Sequence, residues 1–441
     1  MELTIEEVAD ATNGIIYGER DVIITGVSID TRTLQNGDLF IPLVAERDGH
    51  AFVTEALEKN ANAYLFSHGE PQHTSVKVED TLKALQVIAK ISRKKITGEV
   101  IAITGSVGKT TTKDIAASIL SSTNSIEVSK LSHNNEIGVP LTLLGCNEKV
   151  KHVVLEMGAR GPGQIKELCE IASPTIGVVT KVSAAHTEIF KDEEEIALTK
   201  GELIESLPPS GTAILNYDDK RVRAMSSRTK ADVLTFGFAN AVISAANVVV
   251  NENFCCSFRL STPWGESDVT LNIPGRHNIH NALAAVSIGL ALGIEQNQLV
   301  RSLSEIKMSP LRMDINHLED GTIVINDSYN ANPASMNAAI DTLMTSSRKN
   351  KTAVLGIMAE LGERSIQEHL AIGKKLEESG INVISIGIKE YGGLLVPTLD
   401  DALDALYRNN LTGEDSIVLI KGSRVTGLEQ LFYDLEKRAT K

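Results

Sequence analysis

The sequence predicts an α/β chain in three domains, with a phosphate-binding loop on a mostly parallel central sheet and a Rossmann-like alternation at the C-terminal end. Three observations predict it. Residues 100–103 are an apolar run that reads as a buried strand, and residues 109–121 carry Ile115, Ala116, Ile119 and Leu120 at helical spacing. Between them lies a turn, Gly105-Ser106-Val107-Gly108-Lys109-Thr110-Thr111, whose glycines let backbone N–H groups approach an anion. Near residue 310 a second strand–helix alternation begins.

Residues 1–97 read as a small α/β domain, with short strands at 22–24, 39–42 and 63–66 and a helix at 52–59. Polar residues gather at the strand ends, among them Ser28, Thr31, Arg32, Arg47, Asp48, Gly49 and His50. They suit either a sugar–phosphate ligand or ordinary turn chemistry.

Residues 98–309 form the central region. Lys109 is placed to reach the β- and γ-phosphates of a nucleotide, and the Thr110 hydroxyl to ligate Mg²⁺. Ile103 stands where longer phosphate loops carry their first glycine, so the loop is the short Gly-x-x-Gly-Lys-Thr form. Glu156 closes a strand at 153–155, and a strand at 176–179 leads to the loop holding His186. In an open parallel sheet, ligands bind outside the carboxyl ends of the strands, where all of these groups fall. A carboxylate there is either a Mg²⁺ ligand or a solvated strand end. His186 and Lys200 have ordinary structural readings on spacing alone. Asn281 opens an apolar helix, where its amide suits either an adenine edge or a helix cap.

Residues 310–441 place strands at 322–326, 352–357, 382–386 and 416–420. Asn332 caps a helix with Pro333 at its first position. The last strand runs into the basic turn Lys421-Gly422-Ser423-Arg424.

Composition sets limits. The net charge of −14 argues against a nucleic-acid partner, and no apolar run is long enough to cross a membrane. The acidic N-terminal stretch lacks a secretory pattern. Cys146, Cys169, Cys255 and Cys256 have no metal spacing and read as packing residues of a reduced, cytoplasmic protein.

Taken together, these stretches resemble the Mur ligases, ATP-dependent amide-forming enzymes of peptidoglycan synthesis. The phosphate loop is similar to the family's shortened loop. Residues 134–144, residues 326–336 and Met358-Ala-Glu-Leu-Gly-Glu363 followed by His369 look like the member that adds D-alanyl-D-alanine to a UDP-N-acetylmuramoyl-tripeptide. The diamino-acid-adding member's Asp-Asn-Pro-Arg signature is not found.

The resemblance implies an N-terminal UDP-substrate domain, a central ATPase domain and a C-terminal domain that closes over ATP. It implies two Mg²⁺ ions held by Thr110, Glu156, His186 and Lys200, with Lys200 carbamylated. It makes Asn281 the adenine contact, and Arg312 and Asp327 the groups that close over ATP. Ser28, Thr31, Arg32 and residues 47–50 resemble the uridine-nucleotide site, and Asn134, Asn135, Asn330, Asn332 and Ser423 fall at the substrate site. It further implies a cytoplasmic monomer serving cell-wall growth, cell shape and division. A related amide ligase with another acceptor, of the folylpolyglutamate type, is the alternative. The chain departs from the pattern at Lys181-Val182-Ser183 before His186 and at Ile357, where an aspartate is common.

Overall fold

The computed structural model describes residues 2–130, 133–147, 149–184 and 188–440. The central sheet has nine strands. It is parallel from the edge strand Ile126–Val128 through His152–Glu156, Glu99–Thr104, Ile176–Val179 and Thr212–Asn216 to Asp232–Gly237. Strands Ile243–Val250, Cys255–Thr262 and Gly265–Pro274 extend it as an antiparallel meander. After Glu99–Thr104 the chain crosses to the Ile126–Val128 edge, returns beside it as His152–Glu156, then passes to its other flank as Ile176–Val179. The order therefore reverses at Glu99–Thr104, and the crevice of a doubly wound sheet opens at its carboxyl end.

The strands beside the switch are apolar on both faces, as expected for a sheet covered on both sides. On one face the phosphate-loop helix Lys109–Ser121 packs against Asn278–Ala291, which is buried along nearly its whole length. On the other lie Gly138–Leu144, Gln164–Ala172 and Glu193–Glu205.

The N-terminal sheet runs in the order Ile15–Tyr17, Ser75–Lys77, Ala63–Phe66, Asp38–Phe40, Gly26–Ser28. Only its first pair is antiparallel. Helix Thr81–Lys95 buries Ala84, Leu85, Ile88 and Ala89 in a core continuous with Val100, Val139 and Leu143, so the 97/98 junction joins two regions with one shared interior.

The C-terminal sheet has six strands in the order Asp314–His317, Ile323–Asn326, Ser416–Lys421, Asn350–Leu355, Asn382–Ile386, Leu394–Val396, all parallel except the first pair. Its two cores are its own apart from Phe254, which the central meander contributes. The Asn332 cap is observed as a full capping box with Ser335.

Two local expectations shift. Residues 49–52 form a 3₁₀ turn, and the α-helix begins only at Val53. Strand Asp232–Gly237 was not expected, because it begins exposed, becomes buried only at Phe236 and Gly237, and lacks a clean apolar run.

Candidate active site

A cleft of about 1400 Å³ lies at the switch point between the central and C-terminal sheets. Gly105 (φ +148°) and Gly108 (φ +84°) bend the phosphate loop. A Cβ on Gly105 would strike the Thr180 hydroxyl, and one on Gly108 the Asn281 carbonyl oxygen, so both positions need glycine for space as well as for backbone angle. Neighbouring strand ends hold the loop: Ser106 N–H donates to Lys181 O (2.7 Å), Ser106 Oγ donates to Ser183 O (2.8 Å), and Thr180 Oγ1 donates to Val107 O (2.6 Å). Lys109 Nζ donates to Gly105 O at 2.8 Å.

Glu156 is the last residue of its strand and is buried. One carboxylate oxygen accepts from Thr110 Oγ1 at 2.7 Å and the other from Asn134 Nδ2 at 2.8 Å. Its own N–H donates to Ser129 Oγ at 3.2 Å. The carboxylate therefore sits buried against the threonine that follows the phosphate-loop lysine and is not a solvated strand end.

Lys200 lies on Glu193–Glu205 with only 3% of its surface exposed, and lines the same cleft. It is not a solvated surface lysine. Burial, and then the charge of Lys109, push its ammonium down to about 7. Burial likewise lowers Lys109, opposed by the nearby carboxylates of Glu156 and Glu360.

Arg312 reaches across from the start of the C-terminal region. Its Nη2 donates to Thr110 Oγ1 at 3.0 Å, and its guanidinium lies 4.1 Å over the Tyr329 ring. Leu311 (φ +64°) and Met313 (φ +54°) flank it in the left-handed region, a costly conformation for branched or bulky residues. Anchors on both sides hold that backbone. Ser309 N–H donates to Asp114 of the phosphate-loop helix (2.9 Å), Leu311 N–H to Asp314 (2.7 Å), and Met313 N–H to Asp327 (3.2 Å). Asp327 also accepts from Lys421 Nζ at 2.5 Å, and the same buried ammonium donates to Asn330 O at 2.9 Å. Sequence reasoning placed Asp327 at the cleft but missed Lys421 as its partner. The two are 94 positions apart, and only the parallel pairing of Ile323–Asn326 with Ser416–Lys421 brings them together.

Asn281 stands beside the loop with its amide engaged on both ends: its carbonyl accepts from Thr112 Oγ1 (3.4 Å) and its NH₂ donates to Asn278 (2.8 Å). Asn134, Asn135, Asn330, Asn332 and Ser423 all line the cleft. His186 lies outside the described residues.

The N-terminal candidates form a separate place. Ser28 ends one parallel strand, residues 47–50 follow the next, and Ser67 and His68 follow the third, so all gather at one carboxyl edge. Asp48 accepts from His50 Nδ1 (2.7 Å) and from His68 Nε2 (2.8 Å). Ser67 N–H donates to His50 Nε2 at 3.0 Å, which leaves the proton on Nδ1. Asp48, His50 and His68 are thus a hydrogen-bonded cluster whose nitrogen nearest the carboxylate is a donor rather than a metal ligand. Arg32 is 85% exposed and holds Asp30 at 2.6 Å, its guanidinium drawing that carboxyl down to about 2. Thr31 is buried and Arg47 exposed, and none of these residues lines the main cleft.

Comparison with known proteins agrees with this architecture. Residues 103–289 match the Mur ligase middle domain, and residues 311–424 the Mur ligase, glutamate ligase domain. UDP-N-acetylmuramoyl-tripeptide–D-alanyl-D-alanine ligase of Escherichia coli is 32% identical, with 100% of both chains covered. The crystal structure of MurF from Acinetobacter baumannii superposes with a TM-score of 0.92 at 29% identity, covering 99% of each chain. MurF ligase from Thermotoga maritima, solved in complex with ADP, superposes with a TM-score of 0.85 at 27% identity, covering 94% of this chain and 98% of that one. With a switch-point phosphate loop, a strand-end glutamate against its threonine and full-length similarity to these proteins, the chain belongs to the Mur ligase family.

Proposed function

We propose that the chain is an ATP-dependent ligase that joins D-alanyl-D-alanine to UDP-N-acetylmuramoyl-tripeptide in peptidoglycan synthesis. The observation that supports this most is the meeting of Thr110, Glu156 and Arg312, which puts a hard-oxygen donor set and a cation from a second sheet on one hydroxyl beside the phosphate loop. The tripeptide's terminal carboxylate attacks the γ-phosphate, giving an acyl phosphate and ADP. The dipeptide amine then attacks the acyl carbon, and phosphate leaves. The protein's part is positioning and charge stabilisation.

In this reading the loop amides and Lys109 hold the phosphates, Asn281 sits on the adenine side, and Arg312 and Asp327 close the site from the C-terminal domain. The Thr110 hydroxyl and Glu156 carboxylate are oxygen donors that fit Mg²⁺, and Asn134 fixes the carboxylate's orientation. Bound there with carbamylated Lys200 and His186, two Mg²⁺ ions would neutralise the phosphate oxygens. Lys200 suits carbamylation because an amine must be uncharged to take up CO₂, and its burial supplies that form near neutral pH.

The division into residues 1–97, 98–309 and 310–441 assigns the uridine nucleotide to the N-terminal strand edge. Ser28, Thr31, Arg32, Arg47, Asp48, Gly49 and His50 meet it there, and Asn134, Asn135, Asn330, Asn332 and Ser423 meet the peptide parts. The ligase works as a monomer in the cytoplasm. Among the described residues no helix is long and apolar enough to cross a membrane.

A phosphate-release assay with ATP, Mg²⁺ and UDP-muramoyl tripeptide tests the reading against a panel of amino acids and dipeptides. Release that depends on D-alanyl-D-alanine is expected. Equal release with single amino acids would contradict the acceptor assignment.

A further inference from the structure

The Met358–Glu363 stretch was singled out by the sequence and is not used by the chemistry above. The structure shows it as a turn pinned from several sides. His369, buried, accepts the Met358 N–H on Nε2 at 3.0 Å, while its Nδ1 lies 2.6 Å from Ser365 O. Tyr391 Oη donates to Gly356 O (2.9 Å), and Ser423 N–H donates to Ile357 O (2.8 Å). Ala359 N–H donates to Ser423 Oγ at 2.9 Å. His369 is therefore a structural anchor. What the anchors hold in place is Glu360, whose φ of +64° puts a long, non-glycine residue in the left-handed region. An observed outlier of this kind, over-determined by its surroundings and facing a site, points to use. Glu360 lines the cleft together with Lys109, Thr110, Glu156, Asn330 and Ser423. Glu360 is not without a partner, and it is its placement that marks it out.

The opposite, central wall of this cleft holds the phosphate loop. On the C-terminal wall, Asp327 is already bound to Lys421 and the Met313 N–H. An incoming dipeptide enters as a zwitterion, and its ammonium cannot attack until it loses a proton. We propose that Glu360 is a catalytic residue that receives the dipeptide's ammonium and takes one proton from it. This rests on the ligase reading above. The freed nitrogen lone pair forms the C–N bond to the acyl carbon. The C–O bond to phosphate breaks, and its electron pair leaves with the phosphate. A second nitrogen proton departs with the phosphate, and the third stays on the new amide.

The test separates the two halves of the reaction. Glu360→Gln and Glu360→Gly are assayed for amide formation with D-alanyl-D-alanine. They are also assayed, without dipeptide, for hydroxamate formed by hydroxylamine, an acceptor that is uncharged at neutral pH. Glycine is included because it keeps the left-handed backbone without strain. General acid–base catalysis contributes about 10²–10⁴-fold, so kcat/KM for the dipeptide is expected to fall by at least about a hundredfold. Hydroxamate formation should stay within about threefold of wild type, a criterion scaled to that loss. Added formate should partly rescue the glycine variant. Equal loss in both assays, or loss in neither, overturns the proposal. Wild-type protein that forms hydroxamate but never the dipeptide amide overturns the ligase reading instead.

Discussion

The phosphate-loop wall and the N-terminal strand edge are both built at the carboxyl ends of parallel strands, yet they differ in how their polar groups are held. In the cleft Thr110, Glu156 and Lys200 are buried, and the first two are hydrogen-bonded across elements far apart in sequence. At the N-terminal edge Arg32 is solvated and pairs with Asp30 two residues away, while the partly exposed Asp48 pairs with His50 and His68. Groups fixed in a low-dielectric site act strongly on developing charge, whereas exposed pairs contribute little individually. On the proposed ligase reading, the first region serves chemistry and the second recognition.

Substitutions sharpen that contrast, and the largest effect belongs to the loop. Lys109→Ala should lower kcat by about 10³-fold or more with an unchanged melting profile, because charge neutralisation at the γ-phosphate is lost while a solvent-lined cleft tolerates the truncation. Lys200→Ala should lower turnover by about 10²-fold, scaled to the loss of one electrostatic group. Added short carboxylic acids should recover part of it, by supplying the oxygen ligand that a carbamate provides. Indifference to either substitution would remove that residue from the site.

Arg312→Ala comes next, with an expected loss of about tenfold to a hundredfold, because Arg312 meets Thr110 by one hydrogen bond while the loop remains intact. At the N-terminal edge Arg32→Ala and His50→Ala should raise KM for the UDP substrate by about tenfold and leave kcat close to wild type, the signature of uniform binding. A kcat effect there as large as that of Lys109→Ala would erase the distinction between the two regions.

The last effect is on stability. Lys200 is depressed from 10.5 to about 7 in the folded chain, so between those values the unfolded state binds the extra proton. Stability of metal-free protein without added bicarbonate should therefore rise as pH increases from 7 toward 10.5 and be insensitive to this group below 7. Denaturant melts at pH 7 and 9 on wild type and Lys200→Met measure this. The wild-type gain between the two should shrink in the variant.

Much of the cleft was legible in the sequence because its parts are local. The strand, glycine turn and helix of the phosphate loop are contiguous, and Glu156 ends an unmistakable apolar run. The Asn332 cap likewise needs only four neighbouring residues. What was not legible depends on pairing over distance. The Lys421–Asp327 contact requires the register of two strands, and the burial of Lys200 requires the cleft itself. The left-handed Glu360 carries no residue-type signal, since glutamate is not a turn former, and only its pinned neighbours reveal it. At the N-terminal edge, strand Gly26–Ser28 is only three residues long, so its polar end was readable as a turn with equal justice.

On the proposed reading, the loop ahead of Lys109 grips a triphosphate so that a carboxyl group is activated. The most direct measurement follows phosphate release and amide product together, in wild type and in folded Lys109→Ala. One phosphate per amide is expected in the wild type, no release when the UDP-muramoyl tripeptide is withheld, and neither product from the variant. Near-normal ligation by the folded variant would contradict that reading.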